Sequence, residues 1–100
     1  MSDFCLVMIG SPAIEEKLLD VLLSAVGNEV FTSTPSFSHG TVHGRLSSVE
    51  QVMGRSRSVQ VQIVVSEVEM GKLLQLLRES FAGTGLRYWA MPIAARGEIA

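Results

Sequence analysis

A strand–helix–strand pattern occurs twice in this chain of 100 residues, and that repetition is the tightest restriction on its fold. Its clearest part is residues 58–65, SVQVQIVV, where Val59, Val61, Ile63 and Val65 alternate with Ser58, Gln60 and Gln62. A period of two belongs to a strand with one buried face. Ser66 follows at once with Glu69 behind it, an S-x-x-E capping box that starts a helix. Met70, Leu73, Leu74, Leu77 and Phe81 recur at helical spacing as its core face, and Gly83 and Gly85 end it. Residues 86–93 form the last expected strand.

The first unit repeats the order. Residues 4–9, FCLVMI, are continuously apolar and stop at Gly10, as in a strand covered on both faces. Ser11 is placed to cap a helix and Pro12 suits its first turn, since proline has no amide to satisfy. Glu15 and Glu16 complement the helix dipole. Ile14, Leu18, Leu22 and Ala25 make the expected buried stripe, with Gly27 as the stop. A weaker strand is expected over 30–37. Its Pro35 cannot donate to a ladder, so this strand belongs at a sheet edge, and Pro92 in the last strand marks an edge or a strand end.

Two such units in one short domain, 1–100, predict a ferredoxin-like α+β sandwich: a four-stranded antiparallel sheet with two helices on one face. The first and third strands are then central. Hydrophobic residues make up 47% of the chain, with nine glycines besides. A domain this small buries a modest share of its surface, so the apolar surplus predicts subunits meeting through their sheets. Tyr88 and Trp89 are expected in the core or at that interface. Cys5, the single cysteine, reads as strand packing, and so do Met8, Met70 and Met91. The opening segment MSDFCLVMIGSP lacks a basic n-region and is neither a signal peptide nor a membrane span by pattern, which predicts a cytoplasmic protein without membrane insertion.

Between the units lies a 19-residue polar stretch, residues 39–57, HGTVHGRLSSVEQVMGRSR. Long loops in compact domains are usually functional. This one holds both histidines, His39 and His43, the arginines Arg45, Arg55 and Arg57, and a single acid, Glu50. Histidines at i and i+4 chelate a transition metal from a helix face, but the glycines here argue against helix. In an extended chain four residues span roughly 13 Å, so chelation needs a turn at Gly40 or a second subunit. The alternative is two solvated histidines. The arginines offer bidentate contacts to phosphate or carboxylate, or else solubilise a strand entrance. Ser47, Glu50 and Gly54 predict a short capped helix within the stretch, and Met53 is the one methionine placed to bind a soft metal.

Other functions on this architecture are set aside. A net charge of −2 gives no general nucleic-acid footprint, and an RNA-recognition domain needs stacking aromatics on its first and third strands, of which SVQVQIVV has none. No CxxC metal motif exists. GTVHGR looks like an acylphosphatase anion loop but follows the second strand instead of the first. No catalytic residues are assigned.

The pattern resembles the PII-like group, which includes PII signal proteins and the CutA divalent-cation-tolerance proteins. The likeness spans nearly the whole chain: βαβ, a long loop after the second strand where PII proteins carry their T-loop, then βαβ. EQVMGRSRSVQVQI and RESFAGTGLRYWAMPI are more closely similar to a bacterial family of unassigned function often encoded beside heavy-metal efflux pumps of the resistance-nodulation-division type. The resemblance implies a homotrimer with ligand sites in subunit clefts near the loop base, a regulatory or sensing role and no catalysis. PII nucleotide sites use a glycine-rich segment followed by lysine. Here Gly83-Thr84-Gly85 precedes Leu86, with Arg87 one place on. Arg87 joins the anion-binding candidates, and nucleotide binding is left without direct support.

The expectation is therefore a cytoplasmic trimeric regulator that binds a metal ion (His39, His43) or a small anion (Arg45, Arg55, Arg57, Arg87) and acts on a heavy-metal efflux transporter. The alternatives are an interaction module docking its loop on a transporter, and a small phosphate-ester or acyl-phosphate hydrolase.

Overall fold

The computed structural model of the chain describes residues 2–27, 29–40 and 55–100. The elements run β1 (Asp3–Gly10), a 3-10 turn (Pro12–Ile14), α1 (Glu15–Val26), β2 (Phe31–His39), β3 (Arg55–Ser66), α2 (Glu67–Phe81) and β4 (Arg87–Ile93). The strands form one antiparallel sheet in the order β2-β3-β1-β4. The two central strands are thus β1 and β3, and Pro35 and Pro92 lie in the edge strands β2 and β4. This is the ferredoxin-like arrangement that the doubled pattern predicts.

Alternation sorts the side chains. Leu6 and Met8 of β1 and Val59, Val61, Ile63 and Val65 of β3 are buried beneath the helices with Leu18, Leu22, Leu73, Leu77 and Phe81. The capping box of α2 forms in full: the Ser66 hydroxyl accepts from the Glu69 amide at 3.2 Å, and the Glu69 carboxylate accepts from the Ser66 amide at 3.0 Å. Those hydrogen bonds, backbone first, lower the Glu69 pKa.

At α1 the structure differs from the sequence reading. Ser11 makes no side-chain cap; its carbonyl accepts from the Ile14 amide at 3.2 Å and closes a 3-10 turn, so the α-helix begins only at Glu15. Ala25 is exposed, and Val26 completes the row Ile14, Leu18, Leu22 in its place. A strict four-residue spacing follows the contact line better than the mixed one, and it turns the larger side chain inward.

The opposite face of the sheet is not uniformly dry, as the sequence had suggested. On its β1–β4 half, Cys5, Val7 and Ile9 stand beside Met91, Trp89 and Arg87 in register. Val7 is 1% exposed within a single chain, while Trp89 and Met91 remain 39% and 46% exposed, so Met91 is not core packing. On the β2–β3 half the same face carries Thr32, Thr34, Ser36 and Ser38 opposite Gln62, Gln60, Ser58 and Ser56. Tyr88, 48% exposed, lies on the helix side. Neither it nor Trp89 is in the core of the chain.

The second strand runs to His39, and Val30 stays outside it, exposed. The third begins at Arg55. The polar stretch 39–57 is therefore part ladder: β2 and β3 continue pairing from Ser36↔Ser58 to His39↔Arg55, beyond Gly10, where β1 ends opposite Val59. This two-stranded ribbon projects past the body of the sheet. The expected capped helix at Ser47–Glu50–Gly54 and the candidate Met53 lie outside the described residues.

Candidate functional site

Three chain reversals meet where the ribbon leaves the sheet. After β1 the chain turns at Gly10, packed so closely that a Cβ there would stand 2.8 Å from Ile14 Cδ1 and 3.2 Å from Leu86 Cδ1. After α2 it turns at Gly83 and Gly85, with φ of 79° and 82°, a left-handed region that glycine occupies without a steric cost. Between them the Thr84 hydroxyl donates to the Phe81 carbonyl at 2.6 Å and accepts from the Leu86 amide at 3.4 Å. That pair of bonds ties the turn to the end of α2 and the start of β4.

The third wall is the base of the ribbon, from Ser38 and Gly40 across to Ser56 and Arg57. Together these elements enclose a cleft of about 630 Å³. Arg57 and Arg87 both line it, as do Ser11, Ser38, Ser56, Ser58 and Thr84, and no Asp or Glu of the described residues does. A lining of fixed cations and neutral hydroxyls stabilises an anion and disfavours a metal cation. Some of these side chains already have partners: the Thr84 hydroxyl is held within the glycine turn, and that of Ser58, buried, shares a 2.7 Å hydrogen bond with Ser36.

The other sequence candidates are distributed differently. His39 and Arg55 are register partners at the outer end of the ribbon, on its helix-facing side and away from the cleft lining. Arg55 stacks its guanidinium over the Phe37 ring at 4.1 Å. His43 and Arg45 lie outside the described residues. Among the described residues no three His, Cys, Asp or Glu side chains gather to hold a metal ion. The structure thus brings Arg57 and Arg87 to one cleft and separates Arg55 and His39 from them.

Sequence reasoning passed over Ser11 and Thr84. Ser11 had been read as a helix cap and Thr84 only as the middle of a glycine segment, and only the pairing of β1 with both β3 and β4 carries them to the wall facing Arg57. The signal was present in Gly10-Ser11-Pro12 and Gly83-Thr84-Gly85, two small-residue turns at the same end of two neighbouring strands.

Comparison with curated proteins gives no match. The family described as "Protein of unknown function (DUF3240)" matches residues 1–100. Among solved structures, a DUF3240 family protein from Shewanella baltica superposes with a TM-score of 0.81 at 19% identity, over 100% of this chain and 99% of that one. The nitrogen regulatory PII-like protein CPII from Thiomonas intermedia, bound to ADP, AMP and bicarbonate, gives 0.74 at 19% identity over 99% and 98%. The periplasmic divalent cation tolerance protein CutA from Archaeoglobus fulgidus gives 0.66 at 15% identity over 98% and 88%. At these identities the likeness is one of fold.

Proposed function

The chain belongs to the DUF3240 family over its whole length, and on that premise we propose a non-catalytic regulatory or sensor protein that binds a small anion in the cleft between Arg57 and Arg87. The observation carrying this reading is the cleft's composition: two arginines, four serines and a threonine, with no Asp or Glu among the described residues, at the base of the ribbon. The PII-like relative holding ADP, AMP and bicarbonate supports it by analogy of fold. A regulator needs an anion to bind and be released, not to react, and a shallow site with hydroxyls on three walls suits that.

Titration calorimetry with bicarbonate, inorganic phosphate, AMP and ADP tests the reading. A charge-assisted hydrogen bond contributes roughly 1.5–3 kcal/mol, so losing Arg57 or Arg87 to glutamine should weaken the bound anion by about 10–100-fold. Binding that survives the double variant unchanged refutes the site.

The assembly belongs to the same proposal. Trp89 and Met91 beside Val7 leave an apolar half-face open in one chain, which supports a homotrimer formed through the sheets. We keep the metal reading for His39 with His43, which requires His43 or a second subunit because the described residues supply no complete donor set. Calorimetry with copper, zinc, cobalt and nickel on His39→Ala/His43→Ala decides it. A heavy-metal efflux transporter remains the proposed downstream partner, in a cytoplasmic setting; no helix among the described residues is long and apolar enough to cross a membrane. Transporter capture by chains with and without residues 39–57 separates a ligand sensor from a pure docking module. The hydrolase alternative predicts phosphatase turnover that depends on the arginines.

A further inference from the structure

The glycine turn has two sides. Its sheet side faces the arginine cleft, and its helix side closes a second cavity of about 290 Å³ between α2 and β4. The floor is apolar: Met8, Leu77 and Phe81, each at most 5% exposed, with Leu86 contributed by the turn. At the rim stand two polar groups, Arg78 of α2 and Tyr88 of β4, with Nη2 of the arginine donating to the phenol oxygen at 3.5 Å. The ion pairs among the described residues are those of Arg96 with Asp3 and Glu29, and none of their carboxylates pairs with Arg78.

We propose that this cavity binds a small hydrophobic carboxylate, its hydrocarbon part against Met8, Leu77 and Phe81 and its carboxylate on Arg78 and Tyr88. Size sets the hydrocarbon. A cavity of about 150 Å³ lined by leucine, isoleucine and phenylalanine takes benzene, so twice that volume holds a phenyl ring with a short acid tail. Charge sets the head group. An apolar pocket beside a permanently protonated guanidinium favours an anion over a neutral or cationic ligand of the same shape. The phenol at the rim can donate its proton to the second carboxylate oxygen. The site shares Gly83 and Gly85 with the anion cleft but no charged group, and its existence does not depend on what binds there.

The test uses 3-phenylpropionate on the full chain, followed by amide chemical shifts, with 3-phenyl-1-propanol as the uncharged counterpart. A ligand of this size is expected to bind with Kd on the order of 1 mM, shifting residues 74–88 and leaving Ser38, Ser56 and Arg57 nearly still. Arg78→Gln should weaken the acid at least tenfold and leave the alcohol unchanged, while Arg78→Lys restores part of the loss. Arg78 lies on the exposed side of α2, so these variants keep the fold. Equal affinity for acid and alcohol, indifference to Arg78→Gln, or shifts confined to the arginine cleft would each overturn the proposal. So would the absence of saturation at roughly ten times the expected Kd.

Discussion

The Arg55 guanidinium lies 4.1 Å above the Phe37 ring, one diagonal step across the β2–β3 ladder. The pair sits on the ribbon beyond the end of β1, where no third strand supports the pairing. Cross-strand and cation–π contacts of this kind contribute about 0.5–1 kcal/mol each at exposed sites. Phe37→Leu should therefore leave global stability within about 1 kcal/mol of the parent while raising amide exchange at 36–39 and 55–58. Uniform acceleration across β1 would show that the ribbon and sheet open together.

The α2 cap gives a signed pH prediction. Hydrogen bonds from Ser66 hold the Glu69 carboxyl below its ordinary value. A depressed folded pKa contributes stability above the unfolded value of about 4.3, and that contribution is lost as pH falls through the folded value. Acid unfolding followed by circular dichroism should become less steep in Glu69→Gln over that window. An unchanged acid limb contradicts the assignment.

Ser66→Ala removes the other half of the box at all pH values. Loss of an N-cap costs about 1 kcal/mol, or roughly a 5 °C fall in the melting temperature for a domain of this size. Ser11→Ala, by contrast, should change little, because the carbonyl of Ser11 and not its hydroxyl closes the turn at α1. Thermal melts of the two variants side by side check this.

Gly10→Ala places a methyl 2.8 Å from Ile14 Cδ1. Overpacking of that size costs about 1–2 kcal/mol. The clash is with the end of a flexible side chain, so the cost should shrink when Ile14→Val removes that atom. A double-mutant cycle by denaturant unfolding measures the coupling; zero coupling would mean the strain arises elsewhere.

Trp89 is the only tryptophan, so intrinsic fluorescence reports on the open half-face of the sheet. If subunits cover that face, emission should shift to the red on dilution as the assembly separates, and Trp89→Ser should move the sedimentation profile toward monomer. Emission independent of concentration in a chain that sediments as a monomer would place the tryptophan in water at all times.

Legibility in the sequence followed the strength of local patterns. Val59, Val61, Ile63 and Val65 alternate without interruption, and Ser66 with Glu69 marks a boundary by chemistry, so β3 and α2 could be read to within a few residues. FTSTPSFSH has no apolar period, and its extension to His39 depends on pairing with residues on the far side of 41–54. Arg57 and Arg87 were both picked out from sequence, but their meeting is a product of strand order, since neither is near the other along the chain. The place of Ser11 and Thr84 in the cleft escaped notice for the same reason: a turn's role in a cleft is a property of its neighbours in space. Ala25 lost its place to Val26 because one residue of helix phase separates them, finer than periodicity alone resolves.

Because side chains alternate along the ribbon, Phe37, His39, Arg55 and Arg57 share one side, and Ser36, Ser38, Ser56 and Ser58 the other. A slip of one residue would exchange the two sets, and it is opposed by Val59, Val61 and Ile63, which the same slip would lift out of the core. The paired rungs thereby hold the points where the chain leaves the ladder at His39 and re-enters it at Arg55. The chemistry at the base of the ribbon is thus set by register, whatever sequence joins those two points.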